Sequence, residues 1–392
     1  MSATAPLDLP EEFDARRVII FIRRQLNILK EGELLSRKSA ISEVKRAIEK
    51  YKIDMDETEY EEIMSEFSKT IIQCFSDPAE KVRESSVQVY VELWGRCKNV
   101  EKYLPYAVEA LTNRLNCRDL EGVEGLDPRM VPTPSQKPQK MVRLAEESEV
   151  VREELLKLAQ TLVDILSADT LRPFTEDFIS ILSVLLMDPA PQIQLLACKL
   201  ASEFFTNFKE LVYHFCGKLA RALLLPLTSK RSNIKIAAIQ SLHDLMFCGT
   251  WKYTVEIFDI LVGYKDPNYV PIKDFYEPSH NLNYFASLIT SPNPSVREAF
   301  LQMVGDLIVS LPDKVDVETR LIPYFLSGLF DEFEEIRDHT MGLIEEVGLA
   351  YEREKEKDLR EIKQLGVMPE WSYHGKLLNL PLPHPFKSRP RL

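Results

Sequence analysis

A short phrase that returns along the chain constrains its fold more than any other feature of the sequence. Its fullest copy reads Asp77-Pro78 and then, ending six residues after the aspartate, Val82-Arg83. Weaker copies begin at Asp188, Ser229, Ser291 and Asp331. Two intervals between copies are about 40 residues, the period of stacked helix pairs, and two are longer. The period predicts an all-α fold, an α-solenoid of about seven helix pairs in which the longer intervals contain insertions.

Each position of the phrase has a physical role in a turn between two helices. Asp or Ser at the first position can accept hydrogen bonds from free amides of the turn, and proline ends one helix or opens the next. A cation at the rim ends the phrase, and the β-branched residue before it faces the core. The signature residues are Asp77, Arg83, Asp188, Lys235, Arg297, Asp331 and Arg337. One copy is typical of any helix hairpin with a solvated charge, but five copies in register favour a repeat array.

The composition favours helix over sheet. Hydrophobic residues make up 45% of the 392 residues, enough for a large core, whereas 13 glycines are few for a chain rich in tight turns. Apolar residues between Phe178 and Leu186 recur at three and four residues, as on the buried face of a helix. We therefore expect essentially no sheet.

Charge and cysteine usage limit the partners and the compartment. The net charge of −12 argues against nucleic acid as the main partner, because phosphate binding needs a clustered basic surface, and it favours basic or neutral proteins. The six cysteines are scattered without Cys-x-x-Cys spacing, as expected for buried thiols in a reducing compartment. The sequence has no signal-peptide pattern and no apolar run long enough to span a membrane. These features predict a soluble intracellular protein.

The expected boundaries follow from the repeat and from changes in composition. Residues 1–12 are an N-terminal extension, residues 13–364 are the repeat array, and residues 365–392 are an extended tail rich in proline. The array contains insertions at 117–141 and 263–279.

The apolar pattern also predicts individual helices. The return helix of the third pair follows the first insertion over 142–166. The fourth pair begins with one helix over 173–187 and the fifth with one helix over 211–227. The last helix runs from Glu334 to about Gln364, and its charged second half projects into solvent or against a partner.

The second insertion is the candidate partner-binding segment. Its aromatic residues are separated by prolines rather than placed at helical spacing; they are Tyr264, Tyr269, Phe275 and Tyr276. Two readings stay open for them, a partner-binding loop or a segment that folds back over the array.

The sequence lacks enzyme signatures. It has no phosphate-binding glycine loop, no dinucleotide fingerprint, no zinc-protease helix motif and no nucleophile-elbow serine. The six histidines are far apart, and no cysteine or carboxylate pair accompanies His374 and His384 in the tail. Acidic clusters around Asp56, Glu146 and Asp331 lie at expected helix starts, where they complement the helix dipole. We expect no catalytic residue, no metal and no cofactor.

The repeated phrase resembles the signature of HEAT repeats over about residues 13–363. In that family, the Asp and Arg of neighbouring repeats are often linked in a ladder along the array. Asp77 with Arg83, and Asp331 with Arg337, match the pattern. The chain departs from the pattern at Gln194, Ser229 and Ser291, so the resemblance implies an interrupted ladder.

A closer resemblance covers the C-terminal hundred residues or so, from Pro292 to Leu392. The blocks Pro294-Ser295-Val296-Arg297, Glu335-Ile336-Arg337 and Arg389-Pro390, in this order, are similar to the dynein axonemal assembly factor five family. The resemblance implies a non-catalytic cytoplasmic scaffold for preassembly of axonemal dynein arms, with a concave helix layer that holds its clients. Implied partners are dynein intermediate and heavy chains and chaperone-associated assembly factors, with a possible second location in the cilium. The family continues with further repeats, so the chain resembles its N-terminal half or a shortened relative.

Two other functions remain open. One is a different HEAT adaptor, such as a phosphatase scaffold or a transport receptor; the receptor would need more repeats and an inner ladder of Trp and Asn, and the chain has only three Trp. The other is a helical-repeat DNA glycosylase, which would need a basic cleft lined with aromatic residues.

Overall fold

The computed structural model describes residues 12–97, 99–115, 144–249, 251–262, 283–311 and 315–364. Almost all of residues 1–12, both expected insertions and the expected tail lie outside these ranges. The chain divides into two units, Met1–Thr340 and Met341–Leu392. The repeat array is a property of the first unit.

Seventeen helices account for most of the described residues, which contain no β-strand. In chain order they are α1 Ala15–Glu31, α2 Leu34–Tyr51, α3 Glu57–Gln73, α4 Glu80–Trp94, α5 Leu104–Leu115, α6 Glu149–Ile165, α7 Ala168–Leu171, α8 Thr175–Leu186, α9 Pro191–Asn207, α10 Lys209–Val212, α11 Cys216–Leu227, α12 Ser232–Met246, α13 Trp251–Val262, α14 Tyr284–Ile289, α15 Pro294–Ser310, α16 Val315–Ser327 and α17 Glu334–Gln364. None of the described helices is long and apolar enough to cross a membrane.

The helices pair as antiparallel hairpins that stack in two layers. The first helices of the pairs, α1, α3, α5, α8, α11 and α13, pack in that order, with α14 completing the first half of the sixth pair. The second helices, α2, α4, α6, α9, α12 and α15, form the other layer, called here the second-helix layer. Helix α16 and the part of α17 that lies in the first unit, from Glu334 to Thr340, follow as the seventh hairpin. The expectation of an α-solenoid of about seven pairs is confirmed.

Capping residues explain where several helices begin. Asp56 accepts hydrogen bonds from the amides of Thr58 and Glu59, and the Glu59 carboxylate accepts one from the amide of Asp56, which forms a capping box at α3. Asn293 caps α15, where Pro294 occupies the first helical turn without losing a needed amide.

Aromatic side chains fill the interior between pairs. The rings of Phe285, Phe300 and Tyr324 meet edge to face at centroid distances of 5.2–6.2 Å, an arrangement that aromatic quadrupoles favour. The buried Tyr324 hydroxyl accepts a hydrogen bond from the side-chain amide of Asn283 at 2.7 Å. This cluster joins α14, α15 and α16, and so fixes the sixth pair against the seventh.

Three helix predictions were wrong in detail. Helix α6 begins at Glu149, and residues 144–148 are not helical, because the turn before α6 carries its own cap, Ser148. The 3₁₀ turn Arg172–Phe174 takes up the first two residues of the helix predicted over 173–187, which begins as α8 at Thr175. The 3₁₀ turn Tyr213–Phe215 divides the helix predicted over 211–227 into α10 and α11. The spacing of apolar residues does not reveal a 3₁₀ turn, because the buried face of the helix continues through it.

Candidate interaction surface

The first residue of each signature holds its own turn closed. Asp188 Oδ1 accepts a hydrogen bond from the amide of Ala190 at 2.8 Å, which satisfies a donor that the helix start leaves free. The same bond, to the amide two residues on, recurs at Asp77, Glu146, Ser229, Ser291 and Asp331.

A ladder of charge pairs joins successive turns. The guanidinium group of each ladder arginine donates Nε and Nη2 hydrogen bonds to the carboxylate in the turn of the following pair, a bidentate geometry that strengthens an ion pair. The Nε distances lie between 2.7 and 2.9 Å. The rungs are Arg37 with Asp77, Arg83 with Glu146, Arg152 with Asp188, and Arg297 with Asp331.

The third nitrogen of each ladder arginine reaches back to its own turn. Arg297 Nη1 donates to the carbonyl of Ser291 at 2.6 Å, and Arg83 Nη1 donates to that of Asp77 at 2.9 Å. Arg337 donates likewise to the carbonyl of Asp331 at 2.7 Å. Because one guanidinium binds two turns, each rung fixes the spacing of neighbouring pairs.

Burial and hydrogen bonding set the charge state of the ladder carboxylates. Burial alone would raise the pKa of Glu146, but hydrogen bonds from Arg83, Arg114 and the amide of Ser148 outweigh it and bring the pKa below its ordinary value. The hydrogen bond from Arg297 lowers the pKa of Asp331 and raises that of Arg297. Both carboxylates are therefore ionised at neutral pH.

The ladder is interrupted in the middle of the array. In the part of the chain that the structure describes, no ion pair links Gln194 to Ser229 or Lys235 to Ser291. The pairs on either side of these positions are joined instead by helix packing and by bonds such as Ser241 Oγ to the carbonyl of Cys198 at 2.6 Å. The interruption lies where the sequence departs from the family signature.

Sequence reasoning missed two rung residues, Glu146 and Arg152, and identified a third, Arg37, only as part of a weak further copy that begins at Glu31. Glu146 was assigned to an acidic cluster that complements a helix dipole, but it accepts hydrogen bonds from Arg83 and Arg114. The signal was available, because Glu146 and Val151-Arg152 have the spacing of the other copies. This copy was overlooked because it has a glutamate in place of Asp-Pro and lies close to the first insertion.

The exposed side of the second-helix layer carries its own polar contacts. Lys45 donates to Gln88 at 2.7 Å, and Gln88 donates to Glu154 at 3.0 Å, which links α2, α4 and α6. Further along, His243 Nδ1 lies 2.9 Å from Asp244, and its Nε2 lies 3.6 Å from Asp306 on α15. A groove of about 190 Å³ lies over the α2–α4–α6 contacts.

The described cysteines are packing residues with unreactive thiols. Burial raises the pKa of Cys74 to about 11 and that of Cys97, Cys198, Cys216 and Cys248 to about 12, so the nucleophilic thiolate is scarce at neutral pH. No group of His, Cys, Asp and Glu in the described ranges could hold a metal ion. The aromatic candidates Tyr264, Tyr269, Phe275 and Tyr276 lie outside those ranges.

One protein family matches almost the whole array. The family model described as "Dynein axonemal assembly factor 5-like, TPR repeats" matches residues 28–136, 128–262 and 280–362. TPR repeats are pairs of helices, as are the repeats of this array.

Curated relatives give the same result. Dynein axonemal assembly factor 5 of Xenopus laevis is 26% identical over 340 residues, which cover 87% of this chain and 34% of that protein. The protein of the same name from Homo sapiens is 24% identical over 362 residues, 92% of this chain and 37% of that one. The chain thus spans about a third of the length of the curated relatives it matches.

Solved structures show similarity of fold alone. A crystal structure of an engineered protein superposes with a TM-score of 0.51 at 11% identity, over 85% of this chain and 74% of that one.

Proposed function

The chain belongs to the dynein axonemal assembly factor 5-like family, and on that basis we propose that it is a non-catalytic scaffold for preassembly of axonemal dynein arms in the cytoplasm. The proposed clients are dynein intermediate and heavy chains, and the proposed co-workers are chaperone-associated assembly factors. The observation that carries the proposal is the family match, which runs from the end of α1 into α17.

The geometry supports a scaffold because internal contacts fix the array and its second-helix layer carries exposed polar side chains. Charge pairs at the turns and aromatic packing hold neighbouring pairs, so the second-helix layer presents side chains at set intervals. A partly assembled client exposes apolar and charged surface, and such a layer can hold it by many weak contacts. The five cysteines in the described ranges have unreactive thiols, which agrees with a role in binding.

Affinity purification from cells that build motile cilia tests the proposal. We expect the tagged chain to recover dynein heavy and intermediate chains together with chaperones. Recovery of phosphatase catalytic subunits without dynein would contradict the proposal and favour a different adaptor.

A matched pair of variants tests which layer binds. Glu49→Lys, Glu203→Lys and Glu298→Lys together change exposed charges on the second-helix layer. Glu62→Lys, Glu109→Lys and Glu176→Lys make the same change on exposed positions of the first helices. We expect the first triple variant to lose dynein chains from the purification and the second to retain them. Equal recovery with both variants would show that clients do not bind this layer.

A further inference from the structure

The turn between α11 and α12 carries three positive charges in a protein whose net charge is −12. Lys230 and Arg231 are exposed in the turn, and Lys235 is half-buried in the first part of α12. Together they are called here the basic turn. No carboxylate occurs between Ser229 and Lys235.

None of the three cations has a partner among the described residues, unlike the ladder arginines, which are paired with carboxylates. Lys235 occupies a ladder position, but the residue opposite it in the next turn is Ser291. In four other turns a carboxylate holds the equivalent place; these are Asp77, Glu146, Asp188 and Asp331. The basic turn therefore leaves a positive field that the array does not neutralise.

The local backbone adds to this field. Arg231 is the N-cap of α12, a helix of 15 residues, and no side chain caps that end. Cations at the positive end of a helix dipole are unfavourable, so helix stability does not explain their presence. An acidic group brought to this turn would relieve the repulsion.

The second-helix layer beside the basic turn is apolar at a position where three other pairs carry a glutamate. The residue that follows the ladder position is Glu84 on α4, Glu153 on α6 and Glu298 on α15. On α9 and α12 it is Leu195 and Ile236, both half-buried. A partner segment that reaches the cations from this layer would meet two aliphatic side chains and no negative charge at these positions.

We propose that the basic turn, with Leu195 and Ile236, binds an acidic segment of a client polypeptide that also carries an aliphatic anchor. The carboxylates pair with Lys230, Arg231 and Lys235, and the anchor packs on the two aliphatic side chains. The interruption of the ladder then has a function. If an arginine and an aspartate stood in place of Lys235 and Ser291, their ion pair would neutralise the site. The assignment of the segment to a dynein subunit rests on the proposed function. The proposal that this surface binds an acidic segment does not depend on it.

Fluorescence anisotropy with the full chain tests the site. The probes are a short labelled peptide of glutamate and leucine, the same peptide with lysine in place of glutamate, and a single-stranded RNA of equal length. The site variant is Lys230→Glu with Arg231→Glu. The matched control, Arg16→Glu with Lys69→Glu, exchanges one arginine and one lysine at exposed positions on α1 and α3. Circular dichroism verifies that both variants keep the helix content of the wild type.

We expect the acidic peptide to bind the wild type, and the site variant to weaken binding about tenfold or more, mainly through loss of charge pairing that added salt also weakens. The control variant should stay within about twofold of the wild type. Equal loss in both variants, or tighter binding of the RNA or the lysine peptide, would overturn the proposal. Recovery of dynein by the site variant would leave the proposed function intact, so the two claims can fail separately.

Discussion

Arginines in the ladder serve two turns at once, which makes each of them important for stability. Arg152 and Asp188 expose only 5% and 1% of their side chains, so neither charge can be solvated if the other is removed. Breaking a buried pair from one side costs far more than breaking an exposed one. The rungs therefore differ sharply from surface pairs such as Lys81 with Glu84.

Arg152→Ala should lower the stability of the array by about 3–5 kcal/mol, because it leaves the Asp188 carboxylate buried without a counter-charge. Lys81→Ala, which breaks an exposed pair on α4, should cost less than about 1 kcal/mol. Thermal and urea unfolding followed by circular dichroism compare the two variants. Equal midpoints would show that the rung does not stabilise the array.

Glu146 makes the stability of the folded array depend on pH in a defined direction. Its folded-state pKa lies below the ordinary 4.5, so its contribution is complete above pH 4.5 and is lost as the pH falls through the folded value. Glu146→Gln should therefore lose stability at pH 7 and show a shallower further loss than the wild type below pH 4.5. Urea midpoints measured from pH 7 downward check this. Parallel curves for the two proteins would contradict it.

Close packing at the seventh hairpin depends on a missing side chain. A Cβ added at Gly328 would lie 2.6 Å from Thr340 Oγ1 and 2.8 Å from a methyl carbon of Leu301. Thr340 cannot easily move, because it is fully buried and donates to the carbonyl of Ile336 at 2.7 Å. The helices can approach this closely only because residue 328 is glycine.

Gly328→Ala should destabilise the seventh hairpin by about 1–3 kcal/mol through overpacking. Gly348→Ala on α17 is the matched control, since nothing lies within 4 Å of its added Cβ, and it should gain about 0.5–1 kcal/mol of helix stability. Differential scanning calorimetry distinguishes the two. A stable Gly328→Ala protein would show that the contact can relax without cost.

The sequence predicted the order of the helices better than their ends or their charge pairs. The repeat period located the hairpins because the repeated phrase marks the turn inside each hairpin. It did not find the rung at Glu146, where glutamate reaches the same partner as aspartate without the proline that marks other copies. The period also could not predict that Arg297 forms an ion pair with Asp331 of the following turn, because that pairing depends on how the hairpins stack. The basic turn was visible only as a weak copy of the signature, and its lack of counter-charges required the structure.

As a whole, the first unit is a two-layer array whose turns fix its spacing, and the proposed function has clients bind its second-helix layer. Cross-linking of purified complexes through lysine tests this account most directly, because both layers carry exposed lysines. Dynein chains should cross-link to Lys81, Lys157 and Lys199 on the second-helix layer in preference to Lys69, Lys102 and Lys218 on the other side. Cross-links concentrated on the second set, or a complex without dynein, would contradict it.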